Sequence, residues 1–234
     1  MNGFAQKKCI DFHEIFSHVV KMTSIKTILS LVAVEGLHLE QLDVKTTFLH
    51  GNLEEEIYTQ QPHGYEVKWK EKLVCRLKKS LYGLKQGPRQ WYLKFDKFMS
   101  EQGYTRCHFR HCVYIKTKND GSYIILLIYL DDMLVAGSNM QEINVLKKKL
   151  ANSFSMKDLG AAKQILCMRI TRDRKNCKLT LSQNEYIQKV SEAISKILRT
   201  LPSTSAHWRS GLQVGFAPYY KKSIQFSMYH ASKK

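Results

Sequence analysis

The chain has 234 residues, 44% of them hydrophobic, and a formal net charge of +17 from 37 Lys and Arg against 20 Asp and Glu. That length supports one or two domains with a sizeable core. The basic excess suits phosphate-bearing partners, although a generally solvated basic surface would give the same count. No apolar run reaches the roughly 18 residues of a membrane helix, and the first residues carry no signal-peptide core. The six cysteines lack the spacing of a secreted disulfide scaffold, which points to a reducing compartment.

In chain order, Ser24 is placed to cap a helix with the apolar stripe Ile25, Ile28, Leu29 and Val32, ended by Gly36. Leu37-His-Leu-Glu-Gln-Leu-Asp-Val44 reads as a strand. Pro88 suits the first turn of a second helix, in which Trp91, Phe95, Phe98 and Met99 recur at helical spacing before Gly103. That aromatic stripe reads as core rather than as a base-stacking platform. Cys107-His-Phe-Arg-His-Cys112 holds four potential zinc ligands crowded too closely for a usual site, and is expected to lead into a strand. Two strands then flank an acidic pair. A helix is predicted around 140–152, with Ile143, Leu146 and Leu150 on one face, then strands near 163–171 and 178–181. Ser182 and Glu185 form a capping box for a last helix carrying Ile187, Val190, Ala193, Ile194 and Ile197. This order requires an α+β fold, a mixed or antiparallel sheet with helices on one face.

The acidic pair is the most informative feature. Asp131 and Asp132 lie between the apolar runs Tyr123-Ile-Ile-Leu-Leu-Ile-Tyr-Leu130 and Met133-Leu-Val-Ala136, both strand-like. Two such charges about 4 Å apart repel by roughly 4 kcal/mol at an effective dielectric near 20. A cation between them removes that cost, and paired carboxylates suit magnesium. Asp-Asp is also an acceptable turn dipeptide. Asp43, a third carboxylate at the end of an apolar stretch, favours the metal reading.

Gln41-Leu-Asp-Val-Lys-Thr-Thr-Phe-Leu-His-Gly51 and Tyr129-Leu-Asp-Asp132 together resemble the polymerase core of reverse transcriptases of Ty1/copia-type long-terminal-repeat retrotransposons. Further similar blocks follow in order. They are Phe12-His-Glu-Ile-Phe16, Val19-Val-Lys-Met-Thr-Ser24, Asn52-Leu-Glu-Glu-Glu-Ile-Tyr58, Val74-Cys-Arg-Leu-Lys-Lys-Ser-Leu-Tyr-Gly-Leu-Lys-Gln86 and Met156-Lys-Asp-Leu-Gly160. The resemblance covers about residues 3–190. It implies a polymerase palm with partial fingers over residues 1–190, the fingers lying before Asp43 and between about 50 and 87, and a divergent basic tail over 191–234.

The resemblance also implies chemistry. A deoxynucleotide is added to a primer 3′ hydroxyl on an RNA or DNA template. Two magnesium ions, with manganese as a substitute, are held by Asp43, Asp131 and Asp132, with the Val44 backbone oxygen as a further ligand. Phe48 matches the position that blocks a ribose 2′ hydroxyl; from the residues alone it would read as a core Phe. Gln86 matches the residue that contacts the incoming nucleotide, and Lys85 and Arg89 are expected to meet phosphates. The strand Gln164-Ile-Leu-Cys-Met-Arg-Ile170 resembles the element that grips the primer end. The implied location is a cytoplasmic virus-like particle or the nucleus, with no membrane association.

The chain departs from the pattern. The family's strand with triphosphate-binding Lys and Arg would precede Gly3. His18 stands where Pro is usual, Thr47 where Ala is usual, Arg110 where an acid is common, and Cys167 where the primer-gripping element has Gly. Residues 193–234 hold seven Lys or Arg and no acid. They read either as a frameshifted or differently spliced end or as a genuine divergent tail. Two function classes stay open: an RNA-directed DNA polymerase domain, inactive if its fingers and thumb are incomplete, or a non-catalytic, basic nucleic-acid-binding remnant. A nucleotide hydrolase would need a Gly-rich loop ending in Gly-Lys-Ser/Thr, which is absent.

Overall fold

The computed structural model describes residues 6–70, 72–108, 110–200 and 224–226. It is an α+β chain of antiparallel pairings that separates into two compact units. One comprises Met1–Ile25 with His38–Gly160, the other Lys26–Leu37 with Ala161–Lys234.

The first unit is built on a six-stranded sheet. Its strands are β1 (His38–Val44), β4 (Thr105–Cys107), β5 (Arg110–Thr117), β6 (Tyr123–Tyr129), β7 (Asp132–Gly137) and β8 (Met156–Ala161), in the order β4-β5-β6-β7-β1-β8. The two apolar runs around the acidic pair are β6 and β7, buried along almost their whole length. Such continuous apolar runs give strands covered on both faces.

Register decides which side chains share a face, because direction alternates along a strand. Tyr114, Leu126, Val135 and Glu40 form one row across β5, β6, β7 and β1. Helix α2 (Gly87–Glu101) packs on that row, with the Phe95 ring edge-on to Tyr114 and the Tyr114 hydroxyl donating to Asp96 Oδ1 at 2.9 Å. Helix α3 (Met140–Ser153) joins the same row where Lys147 Nζ meets Glu40 Oε2 at 2.6 Å. Both helices therefore cover one face of this sheet.

The helical stripes behave as their spacing predicts. Trp91, Phe95 and Met99 of α2 and Ile143, Leu146 and Leu150 of α3 are buried. Phe154, just beyond α3, packs against Trp91, Phe95 and Phe98. Burying each of these large side chains contributes roughly 1.5–3 kcal/mol. Pro88 lies in the first turn of α2, and Gly103 follows its end at φ +76°. Asn139 caps α3 by accepting from the Gln141 N–H at 2.8 Å. The chain also forms a small hairpin, β2 (Tyr58–Gln60) with β3 (Val74–Arg76), that no periodicity announced.

In the second unit, β9 (Gln164–Ile165), β10 (Met168–Asp173), β11 (Lys178–Ser182) and β12 (Ile224–Phe226) form a sheet in the order β12-β11-β10-β9. The single strand expected over 163–171 is thus a tight hairpin. Leu166 and Cys167 turn the chain at φ +50° and +59°, in the left-handed region where a Cβ is disfavoured. The departure from Gly at 167 is therefore a backbone matter, and the Cys167 side chain is exposed.

Helix α1 (Met22–Val34) starts two residues before the expected cap, so Ser24 lies inside its first turn. Arg172 secures its far end, donating to Val32 O at 3.0 Å and Leu37 O at 2.5 Å. Helix α4 (Asn184–Thr200) begins where Ser182 Oγ accepts from Asn184 N at 3.3 Å. Glu185 pairs outward with Arg169 instead of closing the box. Ile187, Val190 and Ile194 are half-buried and Ala193 exposed; the Ile197 side chain and most of the expected basic tail lie outside the described residues.

Candidate active site

Asp43 and Asp132 are directly opposed between β1 and β7 although 89 positions separate them in the chain. The Val44 N–H donates to Asp131 O at 2.9 Å. That bond makes 43/132 a non-hydrogen-bonded antiparallel pair, the kind whose Cα atoms approach to about 4.5 Å with both side chains on the same face. Counting from the helix-covered row, Tyr129, Asp132 and Asp43 lie an odd number of residues away. They therefore occupy the opposite face from α2 and α3.

The acidic pair does not form the turn by itself. The two-residue loop is Leu130-Asp131, with Leu130 at φ +52°, and Asp132 already opens β7. Both loop carbonyls are tied: Leu130 O accepts from Trp91 Nε1 at 3.3 Å, and Asp131 O from Val44 N. Helix α2 and strand β1 thus fix the tip that presents the carboxylates.

Electrostatics at this tip are unfavourable for the protein alone. Burial raises the Asp132 carboxyl above its ordinary range, as do the charges of Asp43 and Asp131, while a hydrogen bond from Gln41 at 3.5 Å partly offsets them. Asp131 Oδ1 is buried with no hydrogen-bond partner, a costly condition for a charged oxygen. The donor set is all hard oxygen, which fits a hard divalent cation. Among the described residues no group of three or more His, Cys, Asp or Glu side chains is placed to hold a metal ion, at this tip or in the 107–112 segment.

The other predicted residues gather around the start of α2. Phe48 belongs to a single 3-10 turn, Thr47–His50, that follows β1. Its ring lies 5.0 Å from that of Tyr82. Gly51 closes the turn against α2, where a Cβ would come within 2.9 Å of the Gln90 Cβ, so no larger residue fits. Thr47 is fully buried and donates to Val44 O at 2.9 Å. The proposed backbone ligand is therefore already an acceptor, with one lone pair remaining.

Lys85, Gln86 and Arg89 all face the N-terminal segment. Gln86 is fully buried, and its amide donates to Asp11 O at 2.9 Å and accepts from Gln6 at 3.0 Å. Lys85 Nζ donates to Gln6 O at 3.0 Å, and Arg89 to Phe16 O at 3.3 Å. Sequence reasoning missed Gln41, Trp91 Nε1 and Gln6. Trp91 was visible only as a member of an apolar stripe, and no local pattern marks the other two.

An α+β sheet that opposes carboxylates at neighbouring strand ends, on the face opposite its helices, defines the class of scaffold. Residues 1–199 match the family described as reverse transcriptase (RNA-dependent DNA polymerase). The chain is 59% identical over 192 residues to a retrovirus-related Pol polyprotein from transposon TNT 1-94 of Nicotiana tabacum, covering 82% of this chain and 14% of that protein. It is 33% identical over 185 residues to the Pol polyprotein from transposon RE1 of Arabidopsis thaliana, covering 79% and 12%. It is 33% identical over 150 residues to a putative transposon Ty5-1 protein of Saccharomyces cerevisiae, covering 64% and 48%. No solved structure matches. The chain belongs to the reverse transcriptase family, as the reverse transcriptase domain of a copia-type retrotransposon Pol. It spans about one seventh of the tobacco polyprotein's length. Among the described residues no helix is long and apolar enough to cross a membrane.

Proposed function

We propose that this domain extends a primer by RNA-directed addition of deoxynucleotides, with Asp43, Asp131 and Asp132 holding two divalent cations. The observation that carries this reading is the 43/132 pairing beside a buried, unpartnered Asp131 oxygen. The charges of Asp43 and Asp131 act against ionisation of Asp132, and a cation held by the three carboxylates would relieve that cost. Magnesium, when bound, supplies a lowered pKa for the primer hydroxyl and offsets charge on the triphosphate.

The protein's own groups do the rest. The Trp91 and Val44 bonds fix the backbone of the hairpin tip that carries Asp131 and Asp132. Phe48, on the turn after β1, is the bulk that rejects a ribose 2′ hydroxyl. The +17 charge supports primer–template binding through counterion release.

Primer extension on a poly(A) template with magnesium tests the reading. Asp131→Asn is expected to abolish incorporation while leaving duplex binding intact; undiminished incorporation would remove the carboxylates from the chemistry. A second reading, binding without turnover, is favoured by the engagement of Lys85, Gln86 and Arg89 with protein carbonyls and amides. It predicts salt-sensitive duplex binding with no extension by the wild-type chain.

A further inference from the structure

The residues expected to face an incoming nucleotide are joined to the N-terminal segment by an ordered chain of hydrogen bonds. The Lys85 backbone N–H donates to Gln6 Oε1 at 2.8 Å. Gln6 Nε2 donates to Gln86 Oε1 at 3.0 Å, and Gln86 Nε2 donates to Asp11 O at 2.9 Å. A main-chain N–H can only donate and a main-chain carbonyl can only accept, so the two ends fix both amide orientations. Gln86 is 0% exposed and its amide is engaged on both sides.

The partner segment is itself shaped to hold this arrangement. Lys7 N donates to Asp11 Oδ2 at 2.7 Å while Asp11 N donates to Lys7 O at 2.9 Å, closing residues 7–11 into a loop. Cys9 donates to Phe12 O from φ +65°, and Phe12 is buried with Lys85 Nζ 5.3 Å from its ring centre. The two glutamines therefore clasp a preformed loop to the start of α2.

We infer that Gln6 is a positioning residue for the nucleotide subsite, acting through its hydrogen bonds to the Lys85 backbone and the Gln86 amide. The clasp sets the backbone of Lys85 and Gln86, and hence the start of α2 beside the Phe48 turn. This rests on the polymerase reading for its kinetic arm only; the structural arm stands alone.

The test uses the full chain and the variants Gln6→Ala, Gln6→Glu, Gln86→Ala and the double Ala variant. Gln6→Glu keeps the acceptor for Lys85 N but sets a carboxylate oxygen against Gln86 Oε1. Hydrogen exchange over residues 6–12 is expected to quicken about tenfold in every variant, the scale of one buried hydrogen bond. The deoxynucleotide KM of Gln6→Ala is expected to rise about as much with kcat nearly unchanged, and the double variant to be no worse than Gln86→Ala. A KM effect in Gln86→Ala with neither effect in Gln6→Ala would overturn the inference. Absence of incorporation by the wild-type chain would instead defeat the polymerase reading, and exchange over 6–12 would still decide the clasp.

Discussion

Lys147→Met probes how the sheet face opposite the carboxylates is held. Lys147 and Glu40 are both nearly inaccessible, 8% and 9% exposed at their side chains, and meet at 2.6 Å. Asp158 at the edge of the sheet adds contacts of 2.9 and 3.1 Å. Desolvation acts to lower the Lys147 pKa, but hydrogen bonds and charge from Glu40 and Asp158 outweigh it, and the net direction is up. Removing the ammonium leaves a buried carboxylate uncompensated, which costs about 3–5 kcal/mol. At roughly 2–4 °C per kcal/mol for a chain of this size, the melting temperature should fall by on the order of 10 °C. Replacing both partners, Glu40→Met with Lys147→Met, should return within about 1 kcal/mol of the wild type, because the desolvation penalty disappears with the pair. Urea unfolding of the four proteins gives the coupling directly. Single variants each losing under about 1 kcal/mol, with additive effects, would refute the claim that this pair ties α3 to β1.

Burial lowers the His18 pKa, as do the positive charges of His111, Arg106 and Arg89, against a raising effect of Asp96. The unfolded chain therefore binds that proton more readily, so stability present above pH 6.5 is lost as pH falls through 6.5 towards the lower folded value. His18→Phe, which keeps an aromatic ring beside His111 and Tyr92, should flatten melting curves taken between about pH 7 and pH 5; an unchanged slope would assign the acid sensitivity elsewhere. Phe48→Ala should raise ribonucleotide relative to deoxynucleotide incorporation about tenfold, equivalent to ~1.4 kcal/mol, read by competitive primer extension. An unaltered ratio would make Phe48 a packing residue against Tyr82.

Much of the local structure was written in periodicity. The stripes of α2 and α3, the apolar runs of β6 and β7 and the turn at Gly103 follow from side-chain spacing and backbone sterics, which act over a few residues. Short strands such as β2 and β3 carry no such signal, since their three residues alternate exposed and half-exposed. The split of the expected 163–171 strand was illegible because Leu166 and Cys167 adopt a left-handed turn that their side chains disfavour. The sequence named Asp43, Asp131 and Asp132 by type and setting. Only the pairing of β1 with β7 made Asp43 and Asp132 neighbours on one face, because opposition across a sheet depends on long-range register. Likewise, Gln86 could be aligned with a nucleotide contact from its motif, but its burial against Gln6 and Asp11 came from tertiary packing. A hydrogen-bond partner 80 positions away leaves no trace in local composition.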